Sequence, residues 1–204
     1  MKVNLLYAFL HLIGKFILWA LFRLEKIGIE NIPREGGIIF AANHASFLDA
    51  ILVGVASPRQ MYFLAKTELF KGFFFPLFIK NLNALPMKRE RVSTYTFRRL
   101  NELLGKGEAI LLFPEGTRSR DGKIKEGKPG IALISYSTSS PVIPTLIEGN
   151  FEALPPGAKM LSPVKIKVKF GKPLYPQGKG NRENYREFTR IIMEEIRRLK
   201  TRGK

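Results

Sequence analysis

Short apolar runs that alternate with helical segments constrain the fold of this chain most strongly. Residues 38–42 (IIFAA) and 109–113 (AILLF) are apolar at every position, which is typical of strands covered on both faces of a sheet. The spacing of apolar residues and of Gly and Pro predicts strands at 38–42, 61–65, 83–87, 109–113, 141–147 and 164–170. It predicts helices at 47–56, in part of 69–81, and at 91–104, 129–138 and 183–200. This alternation indicates an α/β domain.

The last predicted strand, 164–170 (VKIKVKF), alternates apolar residues with lysines. Its apolar positions face the core, and Lys165, Lys167 and Lys169 lie on the other face. A solvated lysine face is favoured over a dedicated anion site, because lysines on an exposed face also discourage pairing between sheet edges.

Charge and composition restrict the classes of function. The chain has 204 residues, no cysteine, two histidines and a net charge of +17. The absence of cysteine excludes disulfides, thiolate metal sites and a cysteine nucleophile, and with so few histidines we expect no metal site. The excess of positive charge indicates a polyanionic partner: a nucleic acid, an anionic bilayer or a phosphorylated substrate.

The N-terminal segment is apolar enough to associate with a membrane. Residues 3–22 would be long enough to span a bilayer, but Asn4, His11 and Lys15 fall on one side of a helix, and Lys26 lies near the same line. This narrow polar stripe favours an amphipathic helix lying in the membrane interface, over a spanning helix or a helix of the protein core. We therefore expect residues 1–27 to form a membrane-attachment segment and residues 28–204 the main domain.

The segment that follows the strand at 38–42 carries the first candidate site, in the sequence NHASFLD. His44 and Asp49 are five residues apart, about 140° of rotation on a helix, so their side chains meet only if His44 precedes the helix. Asp49 would then orient His44 to act as a general base on a substrate hydroxyl, with Ser46 as the N-cap. The alternative is a helix-capping turn in which the two side chains only satisfy their hydrogen bonds and take no part in catalysis.

A second candidate site follows the strand at 109–113, in the sequence PEGTRS. Gly116 allows the main chain to approach a ligand, Thr117 offers a hydroxyl, and Arg118 offers a planar fork that matches phosphate. Glu115 would orient Arg118 or hold a substrate hydroxyl. The alternative is a turn closed by a Glu–Arg pair.

Other features have two interpretations each. The run at 88–91 (KRER), together with Lys125 and Lys128, would contact phosphate or form a solvated surface. The phenylalanine-rich stretch at 69–81 would pack in the core or present an apolar surface to an acyl chain or a membrane.

Together these motifs resemble the glycerolipid acyltransferase family, and specifically the bacterial 1-acyl-sn-glycerol-3-phosphate acyltransferases. The family block NHxSxxD is matched by Asn43, His44, Ser46 and Asp49, and the block FPEGTRS by residues 113–119. The Pro-rich fourth block resembles residues 141–144. For the second block, LPMKR fits loosely, with Arg89 as the phosphate-binding counterpart and Lys66 as an upstream candidate.

The resemblance implies a mixed, largely parallel sheet flanked by helices. It also implies transfer of a fatty acyl group from acyl-CoA or acyl-carrier protein to the free hydroxyl of lysophosphatidic acid. His44 would be the base and Asp49 its orienting partner. The acceptor phosphate would be bound by Arg118, with Glu115, Gly116 and Thr117, helped by Arg89. N–H groups near Ser46 would stabilise the oxyanion.

The implied setting is the cytoplasmic face of the cell membrane, with the protein attached as a peripheral or monotopic enzyme that uses no cofactor. Its expected partners are an anionic membrane surface, lysophosphatidic acid and the acyl donor. Two alternatives stay open: the same chemistry on glycerol 3-phosphate, another lysophospholipid or a lipid A precursor, and a basic nucleic-acid-binding protein. No nucleic-acid-binding motif is apparent, so we expect no nucleic-acid partner.

Overall fold

A mixed seven-stranded sheet organises the part of the chain that the structure, a computed structural model, describes: residues 20–70, 83–87, 93–158 and 160–201. The strands are β1 (Glu25–Ile27), β2 (Ile38–Ala42), β3 (Met61–Lys66), β4 (Ala84–Met87), β5 (Ala109–Leu112), β6 (Val142–Glu148) and β7 (Lys167–Phe170). The α-helices are α1 (Asp49–Ala56), α2 (Thr94–Gly105), α3 (Gly130–Thr138), α4 (Asn150–Ala153) and α5 (Arg182–Arg198). Short 3-10 turns occupy Ile29–Asn31 and Thr67–Phe70.

The strand order is β1-β7-β6-β2-β5-β3-β4. Strands β2 to β6 run parallel to one another, β7 pairs antiparallel with β6, and β1 pairs parallel with β7. This arrangement confirms the mixed, largely parallel sheet. The carboxyl ends of the five parallel strands lie at one edge, where ligands bind in open α/β sheets.

Helices cover both faces of the sheet, and the residues of β2 alternate between the two faces. Ile38 and Phe40 point to the face covered by α1, whereas Ile39 and Ala41 point to the face covered by α2, α3 and α5. A strand buried on both faces has no solvated side, which explains its continuous apolar sequence.

The predicted helices at 47–56, 91–104, 129–138 and 183–200 are confirmed, with small shifts at their ends. Helix α2 starts at the cap residue Ser93, whose side chain accepts the N–H of Thr96, and α5 starts at Asn181, which accepts the N–H of Asn184. Helix α5 buries the apolar residues expected to face inward, Phe188, Ile192, Ile196 and Leu199, while Tyr185 is only partly buried.

The sheet begins nearer the N-terminus than the sequence suggested. Residues 25–27 form the edge strand β1, hydrogen-bonded to β7, and Phe22 is buried in the core. Lys26 therefore belongs to a strand, where its Nζ donates to the carbonyl of Val55 at 3.0 Å, and not to an amphipathic helix. The sheet-forming chain extends across the expected boundary between residues 27 and 28.

The lysine face of β7 differs from the solvated surface expected of it. Lys169 is only 3% exposed; its Nζ lies 2.9 Å from Glu148 Oε2 and donates to the carbonyl of Leu199 at 3.0 Å. The prediction was wrong at this position because the C-terminal end of α5 lies over the strand. Regular pairing is also confined to Lys167–Phe170, the second half of the predicted strand.

Three predicted features lie outside the described residues: most of the helix at 3–22, most of the stretch at 69–81, and the basic run at 88–91, which includes Arg89. In the part of the chain that is described, no helix has the length and hydropathy needed to cross a bilayer.

Candidate active site

The loop between β2 and α1 brings His44 and Asp49 together. His44 Nδ1 lies 2.7 Å from Asp49 Oδ2. The contact forms because α1 begins at Asp49, which leaves His44 in the loop before the helix, as the rotation argument requires. The predicted helix at 47–56 therefore starts two residues later than expected.

Asp49 is fully buried and is surrounded by donors. Its Oδ2 accepts the backbone N–H groups of Ala45 (2.8 Å) and Ser46 (2.9 Å) as well as the contact from His44, and its Oδ1 accepts from Asn150 Nδ2 at 2.7 Å. Both oxygens of this carboxylate therefore act as hydrogen-bond acceptors. Neutral His44 therefore carries its proton on Nδ1 and keeps the lone pair of Nε2 for a substrate.

Ser46 does not cap helix α1. Its hydroxyl donates to the carbonyl of Leu154 at 2.8 Å and accepts the N–H of Leu48 at 3.2 Å, and the residue at the cap position is Leu48. The N–H groups of Ala45 and Ser46 bind Asp49, so these two donors hold the carboxylate and are not available to an oxyanion. The expectation of oxyanion donors among the other N–H groups near Ser46 stays a prediction.

Asn43 fixes the start of the loop to the neighbouring strand β6. Its side-chain Oδ1 accepts the N–H of Ile147 at 2.8 Å, and its Nδ2 donates to the carbonyl of the same residue at 3.0 Å. The amide thus replaces one residue of strand pairing where β2 has ended, and it is buried.

The loop after β5 also contacts His44, through both its ring and its main chain. The ring of Phe113 stacks on the imidazole, with centroids 3.9 Å apart and planes 14° apart. The N–H of Ser119 donates to the carbonyl of His44 at 2.7 Å, and Glu115 Oε1 accepts the N–H of His44 at 2.9 Å. The two motifs found in the sequence are therefore parts of one site.

Glu115 has a different role from the one its position suggested. It is buried, and its second oxygen, Oε2, accepts the N–H of Lys125 at 3.1 Å. Among the described residues no ion pair joins Glu115 to Arg118, so Glu115 organises the main chain and does not orient the guanidinium. Burial raises the pKa of Glu115, while the N–H groups of His44 and Lys125 act in the opposite direction.

Arg118 lies at the rim of the site. Its guanidinium carbon is 3.5 Å from the centroid of Phe47, a ring that is 55% exposed. Its Nη1 is buried and has no hydrogen-bond partner among the residues that the structure describes. Burial lowers the pKa of Arg118, and the nearby charge of Asp49 opposes this effect. A partly buried cation with an unsatisfied donor is suited to bind an anion.

Gly116 and Thr117 complete the rim and are exposed. Gly116 has φ +71°, and a Cβ placed on it would lie 3.0 Å from Lys128 Nζ. The absence of a side chain therefore lets the Lys128 ammonium lie against the main chain of the loop at Gly116.

The structure shows less about the remaining candidate residues, Lys66, Lys125 and Arg89. Lys66 is exposed at the carboxyl end of β3, the same sheet edge as His44, while Lys125 contributes its main chain to the site. Arg89 is not among the described residues. Within the described ranges, no group of three or more His, Asp or Glu side chains is arranged to hold a metal ion.

Sequence reasoning missed three contributors: Asn150, Phe113 as a stacking partner, and Phe47 beneath Arg118. A signal for Asn150 was available, because Gly149-Asn150 directly follows a strand whose carboxyl end shares the edge with His44. The aromatic contacts carry no such signal, since a phenylalanine at a strand end is usually a core residue.

Comparisons with known proteins agree with this geometry. The profile of the family described as "Acyltransferase" matches residues 23–148. The chain is 32% identical to a 1-acyl-sn-glycerol-3-phosphate acyltransferase of Bacillus subtilis (strain 168) over 148 residues, which cover 72% of this chain and 71% of that protein. It is also 32% identical to a chloroplastic 1-acyl-sn-glycerol-3-phosphate acyltransferase of Brassica napus, covering 82% of this chain but only about half (51%) of the plant protein.

A solved structure is similar over nearly the whole chain. The crystal structure of the 1-acyl-sn-glycerophosphate acyltransferase from Thermotoga maritima superposes with a TM-score of 0.80 at 30% identity, covering 97% of this chain and 81% of that one. The profile match spans more than half of the sequence and includes both loops that form the site. The chain therefore belongs to the acyltransferase family.

Proposed function

We propose that the protein transfers a fatty acyl group from an acyl thioester to the free hydroxyl of 1-acyl-sn-glycerol 3-phosphate, giving phosphatidic acid. The observation that carries this proposal is the 2.7 Å contact between His44 Nδ1 and Asp49 Oδ2 beside the unpaired donor of Arg118. The names of the bacterial and plant relatives support the choice of acceptor.

His44 acts as the general base in this reaction. Its Nε2 takes the proton of the acceptor hydroxyl as the oxygen attacks the thioester carbonyl carbon. Collapse of the tetrahedral intermediate breaks the C–S bond, and the proton held by His44 passes to the departing thiolate. Asp49 stabilises the imidazolium that exists between these steps, as the carboxylate does in Ser-His-Asp triads.

The acceptor phosphate binds at the rim. Arg118 supplies charge-assisted hydrogen bonds, Gly116 allows close approach of the main chain, and Thr117 adds a hydroxyl. Lys66 lies at the same edge of the sheet, and Arg89 follows the neighbouring strand in sequence, so we assign both to the outer part of this phosphate site.

We assign the net charge of +17 to lipid and donor binding. Basic residues near an anionic surface contribute about 1 kcal/mol each. Together with the apolar segment at 1–27 they provide the two signals that stable peripheral attachment requires. The enzyme would then work at the cytoplasmic face of the membrane with acyl-CoA or acyl-carrier protein as donor, no cofactor and no nucleic-acid partner.

An acyl-transfer assay with a panel of acceptors tests the proposed reaction. The acceptors are 1-acyl-sn-glycerol 3-phosphate, glycerol 3-phosphate, a lysophospholipid with a larger headgroup and a lipid A precursor, each with acyl-CoA and with acyl-carrier protein. The highest kcat/KM is expected for 1-acyl-sn-glycerol 3-phosphate. A higher value for another acceptor would keep the chemistry and replace the substrate, whereas no transfer to any of them would overturn the proposal.

Binding measurements test the assignment of the charge. The protein is expected to float with vesicles containing anionic phospholipid, less so at high salt because the attraction is screened, and to leave duplex and single-stranded DNA unshifted in a gel. DNA binding without flotation would contradict the assignment.

A further inference from the structure

We infer that Asn150 is a positioning residue for catalysis, acting through Asp49 on the general base His44. The inference extends the proposed function and rests on it. Asn150 belongs to neither of the two sequence motifs, and it follows Asp49 by 101 residues.

The first observation is the contact itself. Asn150 Nδ2 donates to Asp49 Oδ1 at 2.7 Å, and both residues are buried, Asn150 to 3% exposure and Asp49 to 0%. Water has little access to that oxygen, so Asn150 supplies a hydrogen bond that solvent does not replace. An unsatisfied buried carboxylate oxygen is strongly unfavourable.

The second observation is that the two oxygens of Asp49 have different hydrogen-bond partners. Oδ2 accepts three contacts, from His44 Nδ1 and from the N–H groups of Ala45 and Ser46. Oδ1 accepts from Asn150. The amide of Asn150 therefore fixes rotation about the Cβ–Cγ bond of Asp49 and keeps Oδ2 directed at Nδ1.

The third observation is that the fold is arranged to present this amide. Strand β6 pairs with β2, so the end of β6 lies beside the loop that carries His44. Gly149 has φ +82°, and a Cβ there would lie 2.4 Å from the carbonyl oxygen of Lys165. Glycine at this position lets the chain turn tightly enough to bring Asn150 back to Asp49.

The consequence for the reaction follows from these contacts. Without the amide, Oδ1 of Asp49 has no buried donor, the carboxylate is held at Oδ2 alone, and His44 loses part of its orientation. Residues that orient the ligands of metal sites typically contribute about 10- to 100-fold in activity, and we expect a loss of the same order for a residue that orients Asp49. Because Asn150 is 3% exposed and its amide is bonded to Asp49, its effect is expected on kcat and not on KM.

The test compares N150L and N150A with wild type and with H44A. Leucine keeps the branched shape of asparagine but is larger and has no donor, whereas alanine is smaller and has no donor, so a loss shared by N150L and N150A reports on the hydrogen bond and not on volume. We expect kcat to fall about 10- to 100-fold in both variants, with KM for acceptor and donor within about twofold of wild type. N31A is the matched control, since it removes another asparagine amide, which donates to the carbonyl of Phe170 at 2.9 Å; it should retain full kcat.

A spectroscopic readout is independent of turnover. The chain has two histidines, His11 and His44, so the low-field Nδ1 proton of His44 is assigned by its disappearance in H44A. In N150A and N150L this resonance should shift or be lost through faster exchange. If N150L does not fold, as judged by circular dichroism, the resonance in N150A decides.

The outcomes separate this inference from the proposed function. An inactive H44A together with wild-type kcat and an unchanged His44 resonance in the Asn150 variants would overturn the role of Asn150 and leave His44 as the base. An H44A variant that retains activity would overturn the proposed mechanism itself.

Discussion

The imidazole of His44 lies against the phenyl ring of Phe113, with centroids 3.9 Å apart and planes 14° apart. This contact joins the strand ends of β2 and β5, which are neighbours in the sheet. Asp49 holds the Nδ1 edge of the same imidazole, and Glu115 and Ser119 hold its main chain. The imidazole is therefore fixed in position by contacts within the protein, as the proposed role of His44 as a general base requires.

Replacing Phe113 with leucine tests the stacking contact. F113L keeps an apolar side chain but loses the ring face, an interaction of about 0.5–1.5 kcal/mol. We expect kcat to fall roughly 2- to 10-fold with little change in KM, measured by steady-state acyl transfer. F188L is the control, because Phe188 is a buried aromatic of α5 in the opposite core layer; it should lower Tm and leave kcat unchanged. Equal kcat in F113L and wild type would show that stacking does not position His44.

Arg118 is expected to bind the phosphate of the acceptor. R118A should raise KM for 1-acyl-sn-glycerol 3-phosphate roughly 10- to 100-fold, because a hydrogen bond to a charged group contributes about 1.5–3 kcal/mol. R118K should recover part of this loss, since lysine keeps the charge but lacks the planar fork and its contact with Phe47. R99A, which removes an arginine paired with Glu102 on the surface of α2, should match wild type. An unchanged KM in R118A would place the phosphate elsewhere.

The buried carboxylate of Glu115 predicts a specific pH dependence of stability. Its pKa is raised by burial, so the folded protein holds a proton that the unfolded chain has lost. Stability attributable to Glu115 is therefore greatest below the ordinary glutamate pKa, about 4.3, and declines as pH rises through the folded-state value. The free energy of unfolding of wild type minus that of E115Q should decrease with increasing pH in this window, as measured by denaturant unfolding at several pH values. A difference that grows with pH would contradict the role of burial.

Much of the fold follows from local sequence, but features that depend on distant parts of the chain do not. Strand β2 occupies the predicted residues 38–42 because it is apolar throughout and is followed directly by the polar Asn43. The short strand β1 was missed, since EKI has no distinctive pattern and pairs only because β7 offers a free edge. The burial of Lys169 depends on the C-terminal end of α5, where its partner Leu199 lies 30 residues further along the chain, and alternation alone does not show it.

The candidate site was predictable in its residues and less so in its contacts. The spacing of His44 and Asp49, with the need for a loop before α1, defined the central pair. The groups around Asp49 come from His44, from the main chain and from Asn150, a hundred residues away. The use of the Ala45 and Ser46 N–H groups by Asp49 is therefore visible only in the three-dimensional arrangement. The inward position of Glu115 has the same origin, because its partners lie in two different loops.

The buried lysine of β7 predicts an effect on stability. K169M removes the ion pair with Glu148 and the hydrogen bond to Leu199, so we expect a loss of about 1–3 kcal/mol, or roughly 2–4 °C in Tm per kcal/mol for a chain of this size. K167M is the control, because Lys167 is 31% exposed and lies 3.9 Å from Glu25; its effect should stay within about 0.5 kcal/mol. Equal Tm values for the two variants would show that Lys169 does not stabilise the end of α5.

The most direct test of the account is the turnover number of H44A at saturating acceptor and donor, with Tm and vesicle flotation measured on the same preparation. A general base contributes about 10²- to 10⁴-fold, so kcat should fall by that amount while Tm stays close to wild type and membrane binding is retained. A folded, membrane-bound H44A with kcat within a few fold of wild type would contradict the central claim that His44, held by Asp49, activates the acceptor hydroxyl.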